Sequence, residues 1–375
     1  MFVKRLGRKG WNVNILFSPV NIGSMRLANR IVVPPMCQYS ADREGCATDW
    51  HLLHYGSLAL SGAGLLIVEA TAVEPEGRIS GNDLGLWSDA SEAALKNMLS
   101  RIRAYSDTPI AVQLAHAGRK GSRVAFSEET LLPDAGGWQV VAPSALAYGE
   151  DYPTPLALDA AGIGRVVERF ADAAARADRA GFDCIEVHAA HGYLLHEFLS
   201  PIANRRTDAY GGELENRMRL VLEVFSVVRD VLPSEKPVGI RISGSDWVEG
   251  GWDIGESAVL AAALEKRGCS YIHVSGGGLS LDQKLRVGPG YQIGMAAKVK
   301  RATSMPVIGV GLIIDPEQAE TILEAGNADL VAVGRGMLYD PRWPWHAAER
   351  LGASLKAPQQ YLRARPHGRP DLFVR

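Results

Sequence analysis

The amino-acid sequence predicts a protein of the α/β class, folded as a single (β/α)8 barrel (a TIM barrel) with a long capping insertion after strand 3. Eight short apolar runs of β-forming residues recur along the 375 residues, and helical stretches separate them. No change in composition divides the chain into parts. Barrels of roughly 250 residues and more fold as one domain, so this length is compatible with one core.

The predicted strands show little polar alternation, as in GLLIVEATAV and PIAVQLAH. Such runs are typical of parallel strands that are covered on both faces. In chain order, we predict strands at residues 30–36, 64–73, 109–116, 183–191, 237–244, 271–277, 306–311 and 330–335.

The stretches between the strands have the period of about 3.6 residues that amphipathic helices show. Several end in a stop signal, as at Gly181, Pro233, Gly268 and Gly326. The clearest apolar stripes consist of Ile163, Val166, Val167, Phe170 and Ala174 in one helix and of Met218, Val221, Leu222, Phe225 and Val228 in another.

A doubly wound open sheet is the alternative fold, but it usually has fewer strands and a glycine-rich phosphate loop after the first one. Here the first predicted strand runs into PPMCQY, which contains no glycine. The third and fourth strands start at residues 109 and 183, the widest spacing in the chain. We predict that the surplus, residues 119–158, caps the active site, with a surface decoration as the alternative.

Composition excludes several classes of function. The chain has 40 Lys and Arg and 42 Asp and Glu residues, a net charge of −2. This near-neutral balance gives no long-range attraction for nucleic acid or an anionic membrane. Apolar runs stay far short of the ~20 residues of a membrane span. Four cysteines without a C-x-x-C pair favour a reducing cytoplasm and indicate no metal cluster. Residues 1–14 are basic with no apolar segment behind them, so they do not resemble a secretory signal and are predicted to be a flexible extension, with a misassigned start codon as the alternative.

Polar side chains cluster where the predicted strands end. In barrels these carboxyl ends surround the mouth of the pocket, so polar residues there indicate function. The strand ends supply Cys37, Tyr39, Glu69, Thr71, Gln113, His116, His188, His191, Tyr193, Arg241 and Ser275. We therefore expect a small-molecule site that combines imidazoles, a phenol, an amide, a guanidinium and a thiol.

The last two strands have glycine-rich exits, at Gly309–Gly311 and around Gly334, followed by Arg335. Loops after strands seven and eight form the usual phosphate site of this fold, because bare backbone N–H groups can approach an anion. The alternative is that these glycines serve tight turns that need a positive φ.

The motif HAAHGY places His188, His191 and Tyr193 at one strand end. Where the strand curls into a loop, both imidazoles can offer an N–H to one carbonyl oxygen, and a phenol is a weak acid suited to protonating a carbon. Zinc ligation and structural histidines are the alternatives, but no H-x-H or H-E-x-x-H pattern is present. Arg241, a charge expected to be buried, requires an anionic partner from the protein or a ligand. Cys37 is either an inert thiol or a functional one.

Six segments, taken together, resemble the Old Yellow Enzyme family of flavin-dependent ene-reductases, and in particular its bacterial thermophilic-like branch, which includes xenobiotic reductases. HAAHGYL followed by RTDAYGG is the most specific of them. The matching segments are residues 29–41, 62–80, 113–120, 188–201, 204–219 and 333–341.

The resemblance implies one noncovalent FMN at the barrel mouth, with NADPH or NADH as the reductant. It implies that an α,β-unsaturated carbonyl compound is reduced by hydride transfer to its β-carbon, with His188 and His191 on the carbonyl oxygen and Tyr193 as the proton donor. Cys37 would modulate the flavin, and Tyr39 and Lys120 would line the substrate. The implied flavin contacts are Pro34, Pro35, Met36, Cys37, Ala70, Gln113, Arg241, Gly311, Gly334 and Arg335.

Departures from the family pattern qualify the resemblance. The first dozen residues have no counterpart, and Gly309–Leu312 stands where some relatives have a tryptophan. Residues 15–375 are predicted to form the barrel, and its tail, 355–375, contains a QYLR sequence ending at Arg363. This segment resembles one that inserts an arginine into a neighbouring subunit's active site, which implies a homodimer or homotetramer.

Three other functions compete with this one. Dienoyl-CoA reductase-type flavoproteins share the barrel but carry an iron–sulfur cluster, for which this sequence has no cysteine cluster. A flavin-free, phosphate-binding isomerase or lyase could act through His188 or His191. A noncatalytic binding barrel is the third, and fold alone does not separate these possibilities.

Overall fold

The computed structural model describes residues 14–127 and 129–374, so nearly all of the predicted N-terminal extension lies outside the described residues. Eight parallel strands close into a barrel, as predicted, and each lies within its predicted range. They are β1 (Ile31–Val33), β2 (Leu65–Ala72), β3 (Ile110–Ala115), β4 (Cys184–Ala189), β5 (Val238–Ser243), β6 (Tyr271–Ser275), β7 (Val307–Val310) and β8 (Leu330–Ala332).

Helices cover the outside of the barrel, and their apolar stripes pack on the outward side chains of the strands. The predicted stop at Gly181 is confirmed: it follows α3 with a φ of +98°. The helices are α1 (Asp49–Ala59), α2 (Asp89–Arg103), α3 (Ala160–Ala180), α4 (Leu194–Leu199), α5 (Leu214–Asp230), α6 (Ile254–Glu265), α7 (Ile293–Lys300), α8 (Pro316–Glu324), α9 (Arg335–Tyr339) and α10 (Trp343–Leu351). Among the described residues, none of these helices combines the length and apolarity needed to cross a membrane.

Two strand ends differ from the prediction by three residues, more than the others. β1 stops at Val33 because Pro34 and Pro35 have no N–H to continue the ladder. The predicted strand at 330–335 was too long: β8 ends at Ala332, and Arg335 opens helix α9 after Gly334. Arg335 thus sits on a helix start rather than on a strand end.

Side chains alternate between the barrel interior and the helices, as the two-residue period of a strand requires. On β4, Cys184 belongs to the interior cluster, while Ile185 and Val187 belong to the core beneath the helices. The same alternation turns Glu186 and His188 inward. The bottom of the barrel is closed by a hairpin, Val20–Ile22 with Met25–Leu27, which places Ile22 and Leu27 in the interior cluster.

The insertion between β3 and α3 lies over the strand ends. The secondary structure of its described part consists of short 3-10 turns and one parallel pair of two-residue strands, Val141–Ala142 with Leu156–Ala157. The Arg119 guanidinium donates to the carbonyl oxygens of Leu146 (3.1 Å) and Leu279 (2.9 Å). These bonds tie the insertion to the loop that follows β6.

The C-terminal tail lies at the opposite end of the barrel. Leu355–Lys356 pairs with Phe373–Val374, and Leu355 and Phe373 pack on Trp345 of α10. The 3-10 turn Gln359–Ala364 borders a cavity whose wall includes Asn29, Gly64 and Pro109, which precede β1, β2 and β3. The tail is therefore separated from the strand ends of its own barrel.

Candidate active site

The loop after β4 brings His188, His191 and Tyr193 together. His191 adopts a φ of +59°, so the chain curls where a straight strand would send the two imidazoles to opposite faces. The ring centroids of His188 and His191 are 5.2 Å apart, and those of His188 and Tyr193 are 5.1 Å apart. Gly192 allows this curl, since its φ is +74° and an added Cβ would lie 2.2 Å from the Gly278 carbonyl oxygen.

Both histidines of the loop are neutral. Burial lowers the pKa of His188 and of His191 well below the ordinary value, and the Arg241 charge lowers both further. His191 Nε2 lies 2.8 Å from Ser275 Oγ, whereas the buried Nδ1 of His188 has no hydrogen-bond partner among the described residues. The two imidazoles, both uncharged, can therefore donate N–H groups to an uncharged oxygen.

Tyr193 precedes α4, with its ring beside His188. Burial raises the pKa of its phenol well above the ordinary value, so the hydroxyl stays protonated and available as a donor. Lys120 lies over this ring, with Nζ 5.1 Å from the centroid. The same Nζ donates to the carbonyl oxygens of His191 (2.9 Å) and Gly278 (2.8 Å) and so holds the loop.

Arg241 and Gln113 project from β5 and β3. Arg241 is buried, and its Nε has no partner within 14–127 and 129–374, while Nη2 lies 3.5 Å from Ser275 Oγ. Burial lowers the pKa of Arg241, and the Glu186 carboxylate opposes that effect. Gln113 donates an amide N–H to Glu186 at 2.7 Å. A buried guanidinium with an unpartnered donor suits an anionic ligand.

The segment after β1 forms another wall of the site. Pro34 and Met36 lie against Gly334, where an added Cβ would be 3.5 Å from Pro34 Cγ and 3.6 Å from Met36 Sδ. Burial raises the pKa of the Cys37 thiol well above its usual range, so the sulfur is a neutral thiol. Tyr39, at a φ of +49°, meets Phe126 of the insertion edge-on at 5.4 Å.

The glycine-rich exits of β7 and β8 border a cavity of about 250 Å³. Gly311, with a φ of +134°, lies in the region that favours glycine. The cavity is continuous with His191 and Arg241, and the residues that line it beyond those are Ser275, Gly276, Tyr291, Gln292, Val310, Gly311, Leu312, Ile313, Ile314, Gly334, Arg335 and Gly336. Glycine backbone and cationic groups therefore meet in one space, as an anion site requires.

Several residues from the strand ends point elsewhere. Glu69 accepts hydrogen bonds from Tyr55 Oη (2.8 Å) and the Gln38 N–H, and His116 Nε2 is 3.0 Å from the Glu74 carboxylate.

Pro35 and Ala70 are buried beside the site wall. Arg363 is exposed at the far end of the barrel, so its own subunit does not bring it to this site.

Sequence reasoning missed four residues here: Glu186, His273, Tyr291 and Gln292. Glu186 was detectable, since it occupies an inward position between Cys184 and His188. Tyr291 and Gln292 lie in the loop before α7 and carry no comparable pattern.

The chain matches the NADH:flavin oxidoreductase / NADH oxidase family over residues 15–353. It is 42% identical to the NADPH dehydrogenase of Geobacillus thermodenitrificans over 93% of this chain and 98% of that one. The chain belongs to the Old Yellow Enzyme family. Morphinone reductase has a similar structure, with a TM-score of 0.75 at 34% identity over 91% of this chain and 90% of that one. The old yellow enzyme homologue from Zymomonas mobilis has a TM-score of 0.74 at 27% identity, covering 91% and 94%.

This family member is a flavin-dependent oxidoreductase that draws its electrons from a nicotinamide. Its strand ends fit a flavin on three observations: the unpartnered Nε of Arg241, the glycine-bordered cavity, and the unpartnered Nδ1 of His188. Within the described residues, no cluster of three or more His, Cys, Asp or Glu side chains is arranged to hold a metal ion.

Proposed function

We propose that the protein binds one FMN noncovalently and reduces the C=C bond of α,β-unsaturated carbonyl compounds, and of similarly activated nitro compounds, with NADPH or NADH. The observation that carries the proposal is a pair of neutral, largely buried imidazoles, one with an unpartnered Nδ1, beside a protonated phenol and a buried arginine. When bound, FMN would accept hydride from the nicotinamide and deliver it to the β-carbon of the substrate.

The residues proposed to hold FMN surround the mouth of the barrel. Arg241 would face the end of the ring system that becomes negative, because a buried guanidinium needs an anion. Gln113 would offer amide hydrogen bonds, and the backbone of Gly311 and Gly334 with Arg335 would take the phosphate. The remaining contacts would come from Pro34, Pro35, Met36, Cys37 and Ala70.

The substrate's carbonyl oxygen would accept hydrogen bonds from His188 and His191. Hydrogen-bond donors that are oriented before the reaction stabilise the charge that develops on that oxygen, because they do not have to reorient during the reaction. Tyr193 would then protonate the α-carbon, since its phenol holds its proton and lies beside His188. Tyr39 and Lys120 would border the substrate, and Lys120 already holds the loop that carries His191.

The activities for which the relatives are named support this assignment. The relatives include NADPH dehydrogenases and a morphinone reductase. We further propose a cytoplasmic homodimer or homotetramer with a small-molecule substrate and no nucleic-acid or membrane partner, in which Arg363 approaches the site of a neighbouring subunit.

The test is anaerobic absorption spectroscopy of the purified protein. We expect a flavin spectrum that bleaches with NADPH and returns with 2-cyclohexenone. Tyr193→Phe should bleach at the normal rate but return at least about 100-fold more slowly, the usual contribution of a positioned general acid. Equal decreases in the rate of flavin reduction by NADPH and in the rate of its reoxidation by 2-cyclohexenone would contradict the role of Tyr193. A protein that stays colourless after incubation with FMN would refute the flavin assignment and favour the isomerase.

A further inference from the structure

A buried carboxylate lies directly beneath the site in the barrel interior. Glu186 has no exposed surface, and nothing in the reaction described above uses it. One of its oxygens accepts from Gln113 Nε2 at 2.7 Å, and the other lies 3.0 Å from His273 Nδ1. It therefore joins β3 to β6 across β4 and β5.

The register of the strands places Glu186 one layer below Arg241. On β4, His188 pairs with Arg241, while Glu186, two residues earlier, pairs with Gly239. His273 pairs with Arg241 from the other side. Gly239 has no side chain that could lie between Glu186 and His273. The Tyr271 ring occupies the space that a side chain at position 239 would need.

The charges around Arg241 leave Glu186 as its main buried counter-charge. His188, His191 and His273 all have a lowered pKa, with burial as the largest cause and Arg241 next. They are neutral, so the positive charge of Arg241 is not offset or reinforced by them. Among the described groups that act on the Arg241 pKa, Glu186 is the strongest one that favours its charged form.

We propose that Glu186 is a positioning residue that tunes the flavin through Arg241 and Gln113. The inference rests on the proposed binding of FMN. The negative charge of Glu186 offsets part of the field of Arg241, because charges in the barrel interior are weakly screened. Negative charge that develops on the flavin during reduction is then stabilised less, and the bound flavin is a stronger reductant. Glu186 also takes one N–H of Gln113, which fixes the orientation of that amide.

The experiment measures the midpoint potential of the bound flavin in Glu186→Gln, which keeps the shape and removes the charge. We expect the equilibrium between oxidised and reduced flavin to shift at least tenfold toward the reduced form, about 30 mV for a two-electron couple. Glu186→Asp, which retains the charge, should stay within threefold of the unaltered protein. Glu320→Gln is the matched control, a buried carboxylate on α8 that accepts from the N–H groups of Ile15 and Leu16, and it should not shift the potential.

An unchanged potential in Glu186→Gln would overturn the inference. So would a shift in Glu186→Asp as large as that in Glu186→Gln, because a purely structural role makes the shortened side chain the more damaging one. A protein that takes up no flavin at all would instead refute the proposed function. The two failures are distinguished by the visible spectrum of the unaltered protein.

Discussion

At the scale of single residues, the neutral state of His188 and His191 follows from their surroundings. Each lies near the permanent charge of Arg241, and the ammonium group of Lys120, which contacts the loop, also lies near both. A proton on either imidazole would add a third positive charge to a poorly solvated space. The site therefore donates two uncharged N–H groups to a substrate oxygen, and the charge of these two imidazoles does not change near neutral pH.

This argument predicts that the affinity for a phenol or an enone shows no histidine inflection near pH 6.5. A lowered pKa means that the charged imidazole appears only as the pH falls below its ordinary range, so neither histidine titrates between pH 6 and pH 8. Flavin absorbance during ligand titration, repeated across this interval, measures it. His188→Ala combined with His191→Ala should weaken binding by about 30-fold, from two hydrogen bonds of about 1 kcal/mol each. An inflection near pH 6.5 in the unaltered protein would contradict neutral donors.

The individual chemical groups of the site could largely be inferred from the sequence. His188 and Arg241 lie near strand ends and His191 and Tyr193 follow one, and barrel strands end at one mouth. The Glu186–His273 contact could not be inferred, because it joins residues 87 positions apart and depends on the register of β4, β5 and β6. Nor could the sequence show that His116 turns away toward Glu74.

At the scale of elements, the loop between β4 and α4 has a tightly constrained backbone. His191 and Gly192 both have positive φ, and the Gly278 backbone packs directly against Gly192. Lys120 fixes both carbonyl oxygens of this contact. The predicted helices and strands follow from local periodicity, whereas this loop is shaped by a close approach between segments that are distant in sequence.

We predict that Gly192→Ala costs substantially more stability than Gly181→Ala. Both glycines have positive φ, so both variants carry the left-handed penalty of about 1 kcal/mol. At Gly181 nothing lies within 4 Å of an added Cβ, whereas at Gly192 the carbonyl oxygen of Gly278 would be 2.2 Å away. We expect an additional loss of about 2 kcal/mol in the free energy of unfolding for Gly192→Ala, with weaker phenol binding. Equal losses in urea titrations of the two variants would show that the Gly278 contact is not tight.

At the scale of the whole molecule, different groups of side chains occupy different levels along the barrel axis. The hairpin and apolar side chains close the bottom, the connected side chains of Gln113, Glu186 and His273 lie above them, and the strand-end residues lie on top. This layering follows from the alternation of side chains along parallel strands. The sequence reveals the alternation in each strand, but the relative heights of residues on different strands require the register.

The same separation bears on the C-terminal tail. Arg363 is exposed on a turn that borders the base of its own barrel, at the end opposite to His188 and Tyr193. A cationic side chain placed there can act on an active site only in another subunit. The proposed oligomer therefore predicts that one subunit can complete the active site of another, which a monomer cannot do.

We predict that two inactive variants restore activity when their subunits are mixed. In a mixed dimer of Arg363→Ala and Tyr193→Phe, the Arg363→Ala subunit keeps its own Tyr193 and receives Arg363 from its neighbour, so one of the two sites is complete. Co-expression with two affinity tags isolates the mixed dimer, and its rate of enone reduction should approach half that of the unaltered dimer. Light scattering on the same sample establishes the oligomeric state. A mixed dimer no more active than its parents, or an unaltered protein that is monomeric at assay concentration, would show that each barrel works with its own residues alone.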